Sequence, residues 1–98
     1  MAISSNQITD TSGILLKKDA CIVIVRTEWN EHVTAKLEEG CIKVLKENNI
    51  AIKQILVPGA FEIAVAIKDY WEKAKYNICK PDAFIALGCV IKGDTPHF

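Results

Sequence analysis

The chain has 98 residues, half of them hydrophobic, with 12 basic and 12 acidic side chains. That length allows at most one domain, and the apolar content supports a packed core rather than a disordered chain. A cancelled charge gives no reason to expect nucleic acid or an anionic membrane as partner, and no apolar run approaches the roughly 20 residues of a membrane span.

Residues 1–13 are polar and aperiodic, and residues 1–19 as a whole read as an N-terminal arm. An apolar patch, Ile14, Leu15 and Leu16, interrupts it. The arm has no basic region followed by an apolar stretch, so it does not read as a secretory signal. Residues 20–25, ACIVIV, are continuous and β-branched, as a buried strand requires. Asn30 suits the N-cap of a following helix, with Glu31 in its first turn to complement the dipole. That helix is expected from residue 31 to about 47. Its apolar stripe would be Val33, Leu37, Cys41, Val44 and Leu45, one face at 3.6-residue spacing. Gly40 is either a weak point in the helix or a place where it packs closely on a sheet.

Asn48 and Asn49 stop the helix, and residues 50–57 form a second strand ended by Pro58 and Gly59. A second helix is expected from about residue 60 to 76. It is apolar around much of its circumference at first, which predicts burial on more than one side, against the sheet and against a partner subunit. A third strand follows over residues 83–87. Strand, helix, strand, helix, strand is the alternation of a parallel sheet with helices on its faces. The four cysteines, at 21, 41, 79 and 89, form no C-x-x-C pair and no metal-ligand spacing with histidine. Cys21, Cys41 and Cys89 read as small buried hydrophobes, and the set as reduced thiols of a cytosolic protein.

Parallel strands all end on one side, and ligands of open α/β sheets bind there. Three exit segments would lie together: residues 26–30, 58–62 and 88–97. Trp29 offers a flat face for a heterocycle, although a tryptophan at a strand end, taken alone, more often serves as a lid on the core. Residues 59–62 open a helix whose free N–H groups can meet oxygen atoms. Glu62 there either complements the dipole or accepts hydrogen bonds from a polyol. Asp94 and Thr95, with the amides around Gly93, could hold a phosphate, although Gly-Asp-Thr-Pro is also an ordinary turn. His97 is the one plausible general acid or base of the three segments, since His32 falls at a solvent-facing helix position. Read from chemistry alone, the site would hold a flat ring, a hydroxylated chain and an anion, with one proton carrier and no metal set.

Residues 57–63, VPGAFEI, together with residues 88–98, GCVIKGDTPHF, closely resemble the 6,7-dimethyl-8-ribityllumazine synthase family. Residues 25–30, VRTEWN, stand where that family has an Arg-Phe-Asn-like or Arg-Trp-Asn-like segment. The resemblance runs from about Ala20 to Phe98, with three motifs in order. It implies a flavodoxin-like three-layer α/β/α sandwich with a parallel sheet, over residues 20–98. It implies a cytoplasmic transferase of riboflavin biosynthesis that condenses 5-amino-6-(D-ribitylamino)uracil with 3,4-dihydroxy-2-butanone 4-phosphate, with no metal or organic cofactor. Homopentamers or sixty-subunit shells, with sites between adjacent subunits, are implied with it. By the same resemblance, Trp29 would stack on the pyrimidine and Ala60, Phe61 and Glu62 would hold the ribityl chain. Cys89, Val90 and Ile91 would line the pyrimidine pocket, Asp94 and Thr95 would meet the phosphate, and His97 would transfer protons. Family members continue well past that histidine. The 98 residues are therefore expected to be a portion of a longer protein, with little activity by themselves. The competing functions on this scaffold are a non-catalytic flavin- or lumazine-binding shell protein and an archaeal-type riboflavin synthase.

Overall fold

In the computed structural model, residues 20–77 and 80–91 are described. The expectations for the N-terminal arm, for Cys79 and for Asp94, Thr95 and His97 lie outside them. Five elements alternate as the sequence predicts: β1 (Cys21–Thr27), α1 (Glu31–Glu47), β2 (Ala51–Val57), α2 (Ile63–Ala74) and β3 (Ala83–Leu87). The three strands form one sheet in the order β2-β1-β3. Both pairings are parallel, with Cys21 opposite Ala51 through Thr27 opposite Val57, and Ile22 opposite Ala83 through Arg26 opposite Leu87.

The topology follows from crossover handedness. The connection from β1 to β2 runs one way along the sheet, and that from β2 to β3 runs back across β1. Crossovers of one hand then put the two helices on opposite faces. On the α1 face, Ile22 and Ile24 pack with Cys41, Ile42 and Leu45. On the α2 face, Val23, Val25 and Val57 pack with Ile63, Ala66, Ile67 and Tyr70. The β1 side chains alternate between the two clusters, as the two-residue period of a strand demands. The Tyr70 ring meets Phe84 edge-on, centroids 6.0 Å apart. Two helical layers around a parallel sheet make this the α/β sandwich expected, consistent with a flavodoxin-like fold.

Four local readings change. The second helix starts at Ile63, because residues Ala60–Glu62 form a separate 3-10 turn. The face that α1 lays on the sheet is rotated from the predicted stripe. Thr34 and Leu45 are its buried residues, while Leu37 is 45 % exposed. The cause is polar: Thr34 and Glu38 on that face meet Thr27 and Arg26 of β1, so it is not purely apolar. Gly40 has open space where a Cβ would stand, so it permits no close approach to the sheet. Cys21, Cys41 and Cys89 are half-buried rather than fully buried free thiols, and of the three Cys41 packs against the α1-face core cluster. Burial, then the charge of Glu38, raises the Cys41 thiol pKa above its ordinary value, which keeps it protonated and unreactive near neutrality.

Asn48 and Asn49 do end α1. Asn49 takes a left-handed conformation at φ 57°, and the N–H groups of Asn48 and Ile50 donate to the Leu45 carbonyl, each at 3.1 Å. At the amino edge of the sheet Asp82 locks β3 to β1. The Cys21 N–H donates to its Oδ2 and its own N–H donates to the Cys21 carbonyl, both at 2.8 Å. With that edge pinned, the register at the opposite, carboxyl edge is fixed too.

Candidate functional site

The carboxyl edge gathers the three exit segments. Those after β1 and β2 remain zipped past the strands: the Glu28 N–H donates to the Val57 carbonyl at 2.7 Å, and the Trp29 N–H to the Pro58 carbonyl at 3.1 Å. Two buried threonines shape the turn that carries Trp29. Thr27 Oγ1 donates to the Trp29 carbonyl at 3.2 Å, and Thr34 Oγ1 to the Thr27 carbonyl at 3.0 Å. Both residues are essentially inaccessible, so their hydroxyls must find partners inside the protein. Their signal in the sequence is a polar residue at a core-facing position: Thr27 continues the alternation of Val23 and Val25.

Asn30 occupies the N-cap of α1, as predicted, but its side chain caps nothing. Its backbone is left-handed, φ 60° and ψ 41°, a conformation asparagine tolerates. Its carbonyl accepts from the N–H groups of Val33 and Thr34 at 2.9 and 3.1 Å. Its side-chain Nδ2 donates instead to the Cys89 carbonyl at 3.0 Å, joining the first exit segment to the third.

The second segment approaches the first closely at Gly59. A Cβ on Gly59 would stand 3.0 Å from Cε3 of the Trp29 ring and 3.2 Å from Glu62 Oε2. Gly88 opens the third segment at the meeting point of all three, where a Cβ would lie 3.3 Å from Ile63, 3.6 Å from Thr27 and 3.7 Å from Ala60. Gly59→Ala is expected to tip the indole outward at a stability cost below about 1 kcal/mol, because the ring has solvent to move into. A shifted Trp29 emission spectrum in a Trp71→Phe background checks this.

A cavity of about 460 Å³ opens here, with Trp29 and Asn30, Ala60 and Phe61, and residues 89–91 as its walls. Its size falls within the range of small-molecule sites. Six of the described candidate residues, Trp29, Ala60, Phe61, Cys89, Val90 and Ile91, therefore share one hollow. Glu62 is not among its walls. Its Oε2 accepts the Gly59 N–H at 3.0 Å, so that carboxylate oxygen closes the turn before α2. Trp29 is 67 % exposed and belongs to neither core cluster, which removes the core-lid reading. Phe61 is 92 % exposed at the rim. Among the described residues no group of histidine, cysteine and carboxylate side chains could hold a metal ion.

Beneath the first segment lies a charged pair that the sequence reading did not single out. Arg26 Nε stands 3.2 Å from Glu38 Oε1, both side chains nearly buried, and Nη1 stands 3.7 Å from the exposed Glu31. The Nε hydrogen is not aimed at an acceptor, so the close pair is held by charge without a directed hydrogen bond.

A three-layer α/β chain with an apolar cavity at the carboxyl edge of its strands belongs to the class of α/β proteins that bind ligands at a topological switch point. Within that class, residues 19–98 match the family model for 6,7-dimethyl-8-ribityllumazine synthase, and the chain belongs to that family. It is 44 % identical over 78 residues to a 6,7-dimethyl-8-ribityllumazine synthase of Phocaeicola vulgatus, covering 76 % of this chain and 44 % of the relative. The corresponding protein of Porphyromonas gingivalis is 38 % identical over 92 residues, covering 91 % of this chain and 54 % of the relative. That of Bacteroides fragilis is 42 % identical over 78 residues, covering 76 % and 51 %. The chain thus spans about half the length of the curated relatives it matches. No solved structure is a significant match.

Proposed function

We propose that the protein to which this chain belongs is a 6,7-dimethyl-8-ribityllumazine synthase, a transferase of riboflavin biosynthesis. The observation that carries the reading is the shared hollow. Three segments resembling the family's three motifs meet around one cavity of heterocycle size, in a chain whose family membership covers residues 19–98.

In this reading Trp29 stacks on the pyrimidine of 5-amino-6-(D-ribitylamino)uracil, and residues 89–91 line the ring's edge. Ala60 and Phe61 flank the ribityl chain. Glu62 contributes to the same chain through the carboxylate oxygen that does not close the turn. Asp94 and Thr95 meet the phosphate of 3,4-dihydroxy-2-butanone 4-phosphate. The ring amine attacks the ketone and water leaves as the imine forms. Phosphate then leaves C4 as the C3 proton is lost, the resulting enol tautomerises to a carbonyl at C3, and attack of the ribitylamino nitrogen on that carbonyl expels a second water. Each step moves protons, the work assigned to His97. No strong electrophile is needed if two reactants are held in register. The exposed apolar side chains of Phe61 and Val65, next to the cavity and on α2, suit contact with a second copy, in keeping with a homopentamer or larger shell. Among the described residues no helix is long and apolar enough to cross a membrane, and a cytoplasmic location belongs to the same proposal.

The test supplies both substrates to the full-length protein and follows lumazine absorbance. Product formation is expected. Bound lumazine without product would favour a carrier protein instead. His97→Ala is expected to lower turnover by about 100-fold, the scale of one general acid-base contribution, with the assembly unchanged by light scattering. Unchanged turnover would remove His97 from the reaction.

A further inference from the structure

The sheet order β2-β1-β3 makes the gap between β1 and β3 the topological switch point, because α1, which leaves β1, and α2, which leads into β3, pack on opposite faces. Backbone pairing cannot hold that gap closed. The β1–β3 ladder ends with Arg26 opposite Leu87, whereas the β1 and β2 exits stay joined by two further backbone bonds. Among the described residues, the one hydrogen bond that spans the open gap beyond the ladder is from Asn30 Nδ2 to the Cys89 carbonyl, 3.0 Å long between residues 59 apart in sequence.

Asn30 is placed to act this way. Its backbone is anchored in the first turn of α1 through the N–H groups of Val33 and Thr34. Its left-handed conformation turns the amide away from the helix it caps by position, and toward the third segment. We propose that Asn30 is a positioning residue whose amide clasps the third exit segment to the first, and so fixes residues 89–91 as a wall of the cavity. The effect on ligand binding rests on the lumazine-synthase reading; the clasp itself does not.

Two variants separate the clasp from the helix. Asn30→Gly suits the left-handed backbone and removes only the side chain. Asn30→Asp keeps size and backbone preference but presents acceptors to a carbonyl. Hydrogen exchange is measured without ligand across residues 84–91 and across α1, with thermal unfolding alongside. Binding is measured by titration with 6,7-dimethyl-8-ribityllumazine, read by its fluorescence. Both variants are expected to speed exchange at residues 88–91 by about tenfold, the worth of one part-buried hydrogen bond. Lumazine affinity is expected to fall by about the same factor, while α1 exchange and the unfolding midpoint of Asn30→Gly hold. Unchanged exchange at residues 88–91 overturns the clasp. Exchange that rises equally throughout α1 also overturns it, since Asn30 would then serve only the helix. Faster exchange with unchanged affinity in a lumazine-binding parent overturns the positioning role. A parent that binds no lumazine defeats the functional reading, and exchange alone then decides the clasp.

Discussion

Trp29→Ala is expected to weaken binding of 6,7-dimethyl-8-ribityllumazine by about 10- to 100-fold, since stacking of a base-like ring on an aromatic side chain contributes about 1–3 kcal/mol. The fold should barely register the change. The indole is 67 % exposed and lies outside both core clusters, so removing it opens no interior cavity. What it does touch is the Gly59 backbone, where a Cβ would stand 3.0 Å from the ring. The Cε3–Cζ3 edge of the indole thus lies close to Gly59, near the cavity the ring helps to line. Titration by ligand fluorescence, with thermal unfolding as the control, tests this. Equal affinity in Trp29→Ala and the parent would demote the residue to a surface side chain. A fall in affinity accompanied by a large fall in unfolding midpoint would show that the indole supports the fold after all.

The strands were legible because β1 and β3 carry compact apolar runs, and because β2, though interrupted by Lys53 and Gln54, lies between the breakers Asn48-Asn49 and Pro58-Gly59. Residues 83–87 form β3 as expected, and β1 extends the expected run only by Arg26 and Thr27. Alternation of strand and helix indicated the parallel sheet with helices on its faces, but not the strand order β2-β1-β3. Convergence of Trp29, Phe61 and residues 89–91 on one hollow followed from the rule that parallel strands share an exit edge.

Illegibility began where polar side chains do what apolar periodicity is usually trusted to do. The stripe expected on α1 ran through Leu37, yet the residues facing β1 include Thr34 and Glu38. A hydrophobicity pattern assigns such residues to water. Only their partners on β1, Thr27 and Arg26, reveal that they face inward. Similarly, Asn30 was read as a helix cap because capping is local. Its actual partner, Cys89, is 59 residues away, and no local rule encodes that contact. The late start of α2 has a comparable origin. Periodicity cannot separate a 3-10 turn from the first turn of an α-helix, and here the Glu62 carboxylate closes that turn on the Gly59 N–H.

Those inward-facing charges carry the largest expected change in stability. Arg26→Leu is expected to lower unfolding free energy by about 3 kcal/mol, the cost of leaving a nearly buried partner charge uncompensated. Glu38 is that partner, with its side chain only 13 % exposed. Glu31 should matter far less, at 3.7 Å and 70 % exposed. The double variant Arg26→Leu/Glu38→Leu separates a useful ion pair from a merely tolerated one. The Arg26 Nε hydrogen finds no aligned acceptor despite the 3.2 Å approach. The pair therefore bears the desolvation of two charges without the directed hydrogen bond that would offset it. Apolar side chains here would extend the cluster that Ile24 and Leu45 already form on the α1 face. The double variant should accordingly recover the parent's stability within about 1 kcal/mol, or exceed it. Urea unfolding of the four members of this cycle measures the coupling. A double variant as unstable as Arg26→Leu would mean that the guanidinium acts through something other than Glu38. Besides the weak Glu31 contact, Nη1 also reaches the Thr27 carbonyl at 3.5 Å, in the turn that leads to Trp29. Lumazine affinity should then fall together with stability, whereas a pair that only joins α1 to the sheet should leave affinity intact once the double variant has refolded.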